Sequence, residues 1–243
     1  MTVLESSQVA WLLRELELAG VVAMRRAAPY LAQKLWLIQQ LPTAPVASDA
    51  AFQLRLARHL GLRGKLRQCE PALFRLIEQF KLQRPLNFEP VLMAVSALTG
   101  QVEKSVASEI LSLFNPDAPV IDREVRELLP RYGFAPLPEA PSMSQCVAWH
   151  AALVELFEQV LAGPAWPEVA TRLAAHLDGT VRGQVTPARL FNAALTHARR
   201  TIALMPIPRS VHDPLGVRGA STQAASPDRP GSPREGRLLH VCR

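Results

Sequence analysis

The chain has 243 residues, of which 49% are apolar, and its 27 Lys and Arg against 21 Asp and Glu residues give a net charge of +6. An apolar fraction near one half excludes a wholly disordered chain, and the length predicts one ordinary domain or two small ones. Cys69, Cys146 and Cys242 are far apart and form no Cys-x-x-Cys pair. That spacing argues against a disulfide framework, a zinc ribbon or an iron–sulfur cluster.

The same sequence bears on location and cofactors. The first apolar stretch is flanked by Glu5, Glu15 and Glu17 instead of basic residues, and no window holds the roughly 18 uninterrupted apolar residues of a membrane span. The glycine motifs of nucleotide-binding proteins and serine hydrolases are absent, and no two histidines have the spacing of a metal site. We therefore expect a cytoplasmic protein with no membrane contact, no metal and no small-molecule cofactor.

Apolar residues recur at helical spacing through most of the chain, while alternating strand-like runs are scarce. The pattern predicts an all-α protein, an orthogonal bundle of about nine helices. We expect one domain over residues 1–205, with lobes at 1–135 and 142–205 on either side of a proline-rich linker. Residues 206–243 are rich in Pro, Gly, Ser and Arg, which predicts a disordered tail.

The first half of the chain contains signals for four helices. They are a helix from an N-cap at Ser7 to Gly20, a helix over about Val22 to Leu41, a helix capped by Ser48 or Asp49 that reaches His59 or Leu60, and a helix with Pro71 at its first position. Pro85 and Asn87 are expected to end the fourth.

The second half predicts six more segments of helix. They are a buried run after Pro90 that stops at Thr99 and Gly100, a helix beginning near Glu103, a helix opened by Asp122, and helices over about Ser144 to Leu161, Pro167 to Leu177 and Thr186 to Ala203. Asp122 and Thr186 are residue types that commonly cap helix N-termini.

The positive charge is concentrated in one segment. Between Arg55 and Arg84 there are eight basic residues and two acidic ones, whereas between Glu103 and Glu127 there are three basic and six acidic ones. A solvated helix face accounts for the basic segment most simply. Alternatively, its residues around two glycines hold a phosphate backbone: Arg58, Arg63, Lys65 and Arg67.

Residues 98–125 have an organisation that is specific enough to compare with known families. A helix end with Leu98 and Gly100 is followed by Lys104, and eighteen residues after Lys104 comes Asp122, with Val125 three residues later. This pattern resembles the helix-hairpin-helix DNA glycosylase superfamily, which includes endonuclease III and the 8-oxoguanine glycosylases.

The resemblance implies duplex DNA, including damaged DNA, as the partner. In the family, backbone N–H groups of the hairpin bind phosphate and a base is flipped into a pocket. The matching hairpin positions here are Gly100, Gln101, Val102 and Ser105. The resemblance gives Asp122 the role of stabilising the oxocarbenium-like sugar or activating the attacking group, and Lys104 the role of a nucleophile that forms a Schiff base.

Each of these residues also has an ordinary structural interpretation. Asp122 is a good N-cap, Lys104 at a helix start is commonly a solvated lysine, and Gly100 suits a left-handed helix end. A shifted alignment puts Ser105 instead of Lys104 in the lysine position. Thr99 stands where the family has proline, and Glu103 places a negative charge beside the hairpin.

Two functions therefore follow from the sequence. The first is a DNA-binding protein related to base-excision glycosylases, which removes a damaged or mismatched base if the chemistry is retained. The second is a catalytically inactive helical scaffold or interaction protein that kept the fold. The sequence does not predict the lesion or the oligomeric state.

Overall fold

The computed structural model describes residues 4–83 and 85–205, so the predictions made for Arg84, Cys242 and the tail over 206–243 lie outside the described residues. Within these ranges every regular element is helical, which confirms the all-α prediction. The α-helices are α1 (Ser6–Gln40), α2 (Ala50–His59), α3 (Gly64–Gln68), α4 (Glu70–Phe80), α5 (Phe88–Thr99), α6 (Lys104–Phe114), α7 (Arg123–Leu128), α8 (Met143–Ala162), α9 (Trp166–Ala174), α10 (Gly179–Arg182) and α11 (Pro187–Ile202). A 3-10 helix, Leu129–Tyr132, follows α7 directly.

The first two predicted helices are one continuous helix, α1, so the predicted break at Gly20 is wrong. A Cβ on Gly20 would lie 2.8 Å from Cδ2 of Leu173 in α9. The glycine is therefore needed for close helix packing and not for a turn. The helix begins two residues earlier than a Ser7 cap would allow, because Glu5 and Gln8 form a reciprocal capping box.

Most of the predicted helix starts are confirmed. The side chains of Asp49, Asp122 and Thr186 each accept a backbone N–H in the first turn of the following helix. The helix expected after Pro90 begins earlier, at Phe88, because proline is tolerated in a first turn, where N–H groups have no intrahelical acceptor. The short helices α3 and α10 are too brief to show a helical period and were not predicted.

One apolar core extends through both halves of residues 4–205. Helix α1 packs along α11 and against α9 and α2, so elements from the two ends of the described chain lie together. Trp149, Phe191 and Tyr132 are among the largest fully buried side chains. In the described part of the chain, no helix is both long and apolar enough to cross a membrane.

Candidate nucleic-acid interface

The predicted hairpin is formed by α5 and α6, which pack against each other. Gly100 caps the end of α5 with a φ of 68°, in the left-handed region, and its N–H donates to the carbonyl of Ser96 at 2.8 Å. Nothing lies within 4 Å of a Cβ built on Gly100, so its conformation, not space, requires glycine. The chain therefore turns from the end of α5 to the start of α6 over residues 100–103.

Replacing Gly100 by alanine should therefore lower the free energy of unfolding by about 1 kcal/mol, because an L-residue with a Cβ is disfavoured at positive φ. Urea denaturation measures the effect. Gly183→Ala is the matched control, since Gly183 ends α10 with φ −70° and an ordinary conformation. Equal losses of stability for the two substitutions would contradict the view that the positive φ of Gly100 causes the loss.

The side chain of Thr99 stabilises the hairpin where the family pattern has proline. Its hydroxyl accepts the N–H of Gln101 at 3.3 Å, and Ser96 Oγ accepts the N–H of Glu103 at the same distance. Glu103 precedes α6 without a side-chain cap. The first amides of any helix have no intrahelical acceptor, and in α6 the Glu103 side chain does not supply one. Such amides are donors to an anion in many helices.

Asp122 is the N-cap of α7 and also contacts α11. Its Oδ1 accepts the Val125 N–H at 2.6 Å, and its Oδ2 accepts the Thr196 hydroxyl at 2.6 Å. Burial raises the pKa of Asp122, and Glu109 and Glu124 add to the rise, although the hydrogen bonds oppose it. The bond to Val125 is the N-cap predicted from the sequence, whereas the bond to Thr196, which tethers α11, was not predicted.

Lys104 and Asp122 form no hydrogen bond or ion pair with each other in the described part of the chain. The ammonium of Lys104 is half-buried, and burial and the nearby Arg126 lower its pKa. Cys146 and Glu103 are its other charged or titratable neighbours. A lowered pKa is a property of nucleophilic lysines, but it does not test catalysis. The predicted roles of Lys104 and Asp122 in excision therefore stay predictions. Ser105, the alternative in the lysine position, is half-buried and its carbonyl accepts the Ser108 hydroxyl.

Behind α6 lies a buried polar cluster that the sequence did not predict. Glu109 Oε1 accepts from Lys34 Nζ at 2.9 Å and from the Tyr30 hydroxyl at 2.9 Å, and His59 Nε2 lies 2.5 Å from the same oxygen. The Tyr30 ring stacks on His59 and contacts His197. These residues come from α1, α2, α6 and α11, so no local pattern reveals them.

The basic segment forms an exposed surface on α2 and α3, here called the basic face. It comprises Arg55, Arg58, Arg63, Lys65 and Arg67. Arg67 has an acidic neighbour, Glu70, at 3.8 Å, while the other four make no ion pair with any described residue. The Arg55 guanidinium lies 4.1 Å from the centroid of the Trp36 ring, which fixes one end of this face.

The basic face is concave and adjoins the hairpin. A hollow of about 540 Å³ is lined by Arg58, Arg63 and Arg67, and a second of about 440 Å³ is lined by Trp36, Arg55 and again Arg58. Helix α3 packs against α5, and just after it the Cys69 thiol donates to the Leu98 carbonyl at 3.2 Å, two residues before the hairpin glycine. The structure thus brings the two predicted DNA-binding segments together, while Asp122 is half-buried between α7 and α11.

This arrangement suits the binding of a polyanion more than it suits bond cleavage. Cations on a curved surface contact successive phosphates, and hydrogen bonds to phosphates position a protein on nucleic acid without reading sequence. In comparisons with known proteins, the chain matches no family model, no curated protein and no solved structure at a significant level.

Proposed function

We propose that this protein binds the phosphate backbone of duplex DNA through the basic face, with the hairpin at its edge. The observation that carries the proposal is the set of four exposed cations, Arg55, Arg58, Arg63 and Lys65, that have no acidic partner among the described residues. A folded domain gains nothing in stability from clustered like charges. Such a cluster is favourable when phosphates neutralise it and counterions are released.

Three of the six acidic residues beside the hairpin are paired with cations within the fold, which weakens their opposition to this proposal. Glu109 is paired with Lys34, Glu124 with Arg199, and Glu127 with both Arg123 and Arg199. These three carboxylates therefore subtract little from the positive charge of the basic face.

Base excision is not part of the proposal. The Asp122 carboxylate is engaged by Val125 and Thr196, and Lys104 lies beside Arg126 instead of pairing with Asp122. A nucleophile and its orienting group are normally within hydrogen-bond reach of each other. We infer binding without excision, and the experiment below includes an arm that detects excision.

The test is fluorescence polarisation with a labelled duplex of about 20 base pairs, which offers two helical turns of backbone. Arg58→Gln/Arg63→Gln/Lys65→Gln should weaken binding at least about tenfold at 0.1 M salt and reduce the slope of log K against log salt by about 3. The matched control replaces three exposed arginines that lie on α1 and α11, outside the basic face: Arg14, Arg25 and Arg200.

Two results would contradict the proposal. Equal losses in the basic-face and control variants would mean that net charge, not this surface, attracts DNA. A wild-type protein without salt-dependent affinity would favour the helical scaffold instead.

Borohydride trapping on a duplex with an abasic site forms the excision arm. A trapped complex that Lys104→Ala abolishes would restore the predicted lyase chemistry.

A further inference from the structure

A groove of about 1200 Å³ lies away from the basic face and shares no lining residue with its two hollows. Helix α8 forms one wall with a stripe of residues from His150 to Leu161, and the start of α9, the start of α11 and the end of α6 complete it. Most of its lining residues are apolar, and the largest of these are Leu86, Phe88, Leu111, Phe157, Leu161 and Trp166.

The charged groups of this groove are all acidic. Asp117, Glu155 and Glu158 line it, and no Lys or Arg is among its described lining residues. The Thr186 hydroxyl donates to Asp117 Oδ1 at 2.8 Å, which holds that carboxylate at the wall, while the two glutamates form no ion pair within the described ranges. The groove is therefore an acidic site on a protein whose net charge is +6.

His150 adds a polar group at the buried side of the groove without adding positive charge. Its ring stacks on Phe88 with centroids 4.1 Å apart, and burial lowers the pKa of His150 to about 4, so the ring is neutral at pH 7. Nε2 of this ring is buried and has no hydrogen-bond partner among the described residues. A buried polar atom of this kind is normally satisfied by water or by a ligand.

The size of the groove indicates what fills it. Sites for small molecules usually measure about 300–1000 Å³, which is less than this groove. The stripe on α8 runs for three helical turns, roughly 16 Å at 1.5 Å per residue. An α-helix lying in an apolar groove makes contacts over such a length. Carboxylates contributed by α8 and by the loop after α6 match basic residues that flank an apolar helix face.

We propose that this groove binds an amphipathic helix of a partner protein, with an apolar face on the groove floor and Lys or Arg residues paired with Glu155, Glu158 and Asp117. This second surface goes beyond the proposed DNA binding and does not depend on it.

The test uses two labelled model peptides of about 14 residues, long enough for four helical turns. One has leucines at i, i+3, i+4 and i+7 with flanking lysines, and the other has glutamate for every lysine. By polarisation, the lysine peptide should bind wild-type protein with a Kd below about 100 µM, and the glutamate peptide at least about tenfold more weakly.

Charge reversal locates the site. Glu155→Lys/Glu158→Lys should weaken the lysine peptide at least about tenfold and strengthen the glutamate peptide. Glu89→Lys/Glu139→Lys is the matched control, because both residues are exposed, lie outside the groove and change the net charge equally. Ala151→Trp, which fills the groove without changing charge, should also weaken the lysine peptide.

The outcomes separate this proposal from the DNA-binding one. The basic-face triple variant should bind the lysine peptide as the wild type does. The groove proposal is overturned if the lysine peptide shows no saturable binding up to about 1 mM, or if the wild type does not discriminate between the two peptides. It is also overturned if the groove reversal and its control weaken binding equally.

Discussion

Replacing Glu109 by alanine should lower the free energy of unfolding by about 3–5 kcal/mol, because the substitution leaves the buried Lys34 ammonium without its counterion. The two side chains are only 4% and 10% exposed, and their charged atoms are 2.9 Å apart. Tyr30 and His59 also lose their shared acceptor. This is the largest effect that we expect from a single substitution outside the apolar core.

Urea denaturation at pH 7 measures this cost, and a double variant isolates its cause. Lys34→Met/Glu109→Leu removes both charges and fills the same space, so it should cost far less than Glu109→Ala, with about 1 kcal/mol remaining for the lost hydrogen bonds. If the single and double variants are equally unstable, lost packing and not the unpaired charge is the cause.

The same pair predicts a pH dependence. Burial alone would raise the pKa of Glu109, but Lys34 and His59 outweigh burial and hold the pKa well below its usual range. A depressed folded-state pKa contributes stability that is present above the unfolded pKa, near 4.3, and is lost as the pH falls below it. The stability gap between wild type and Glu109→Ala should therefore narrow from about pH 5 downward.

The fold could be predicted well where the information is local. Caps at Asp49, Asp122 and Thr186 satisfy amides two or three residues away, and the α5 to α6 hairpin depends on the conformation of one glycine. The continuity of α1 could not be predicted, because a glycine such as Gly20 commonly marks the end of a helix. Only the approach of Leu173, distant in sequence, makes glycine a packing residue there.

The site could be predicted only in part, for the same reason. The basic face is a run of neighbouring residues, so composition located it. The network around Glu15 joins it to Arg131 and Tyr132, more than a hundred residues away, and the Glu109 cluster joins side chains from α1, α2, α6 and α11. The second partner of Asp122, Thr196, lies 74 residues further along the chain. Without that contact, a cap and a catalytic carboxylate have the same sequence pattern.

Replacing Asp122 by alanine should lower the free energy of unfolding by about 2–3 kcal/mol. The loss combines an N-cap, worth about 1 kcal/mol, with a hydrogen bond from Thr196 to a charged acceptor, worth about 1.5 kcal/mol or more. Asp122→Asn should cost at most about 1 kcal/mol, because the amide oxygen still accepts the Val125 N–H and the amide nitrogen donates to the Thr196 oxygen.

The raised pKa of Asp122 predicts that the stability difference between the wild type and Asp122→Asn depends on pH. Because burial raises its folded-state pKa, the wild type loses stability as the pH rises through that pKa, a loss that the neutral asparagine does not share. Thermal or urea unfolding should therefore show that the stability of Asp122→Asn, measured relative to the wild type, is greater at pH 7 than at pH 4. The opposite trend would mean that the carboxylate is stabilised in its charged form.

The asparagine variant also separates the structural role of Asp122 from the predicted catalytic one. If Asp122 acts only as a cap and a tether for α11, Asp122→Asn should fold and bind duplex DNA with wild-type affinity and salt slope. A carboxylate that stabilises a developing positive charge cannot be replaced by a neutral amide. Suppose that the wild type excises a lesion base and the well-folded Asp122→Asn variant does not. That result would assign Asp122 to catalysis and overturn the inference of binding without excision.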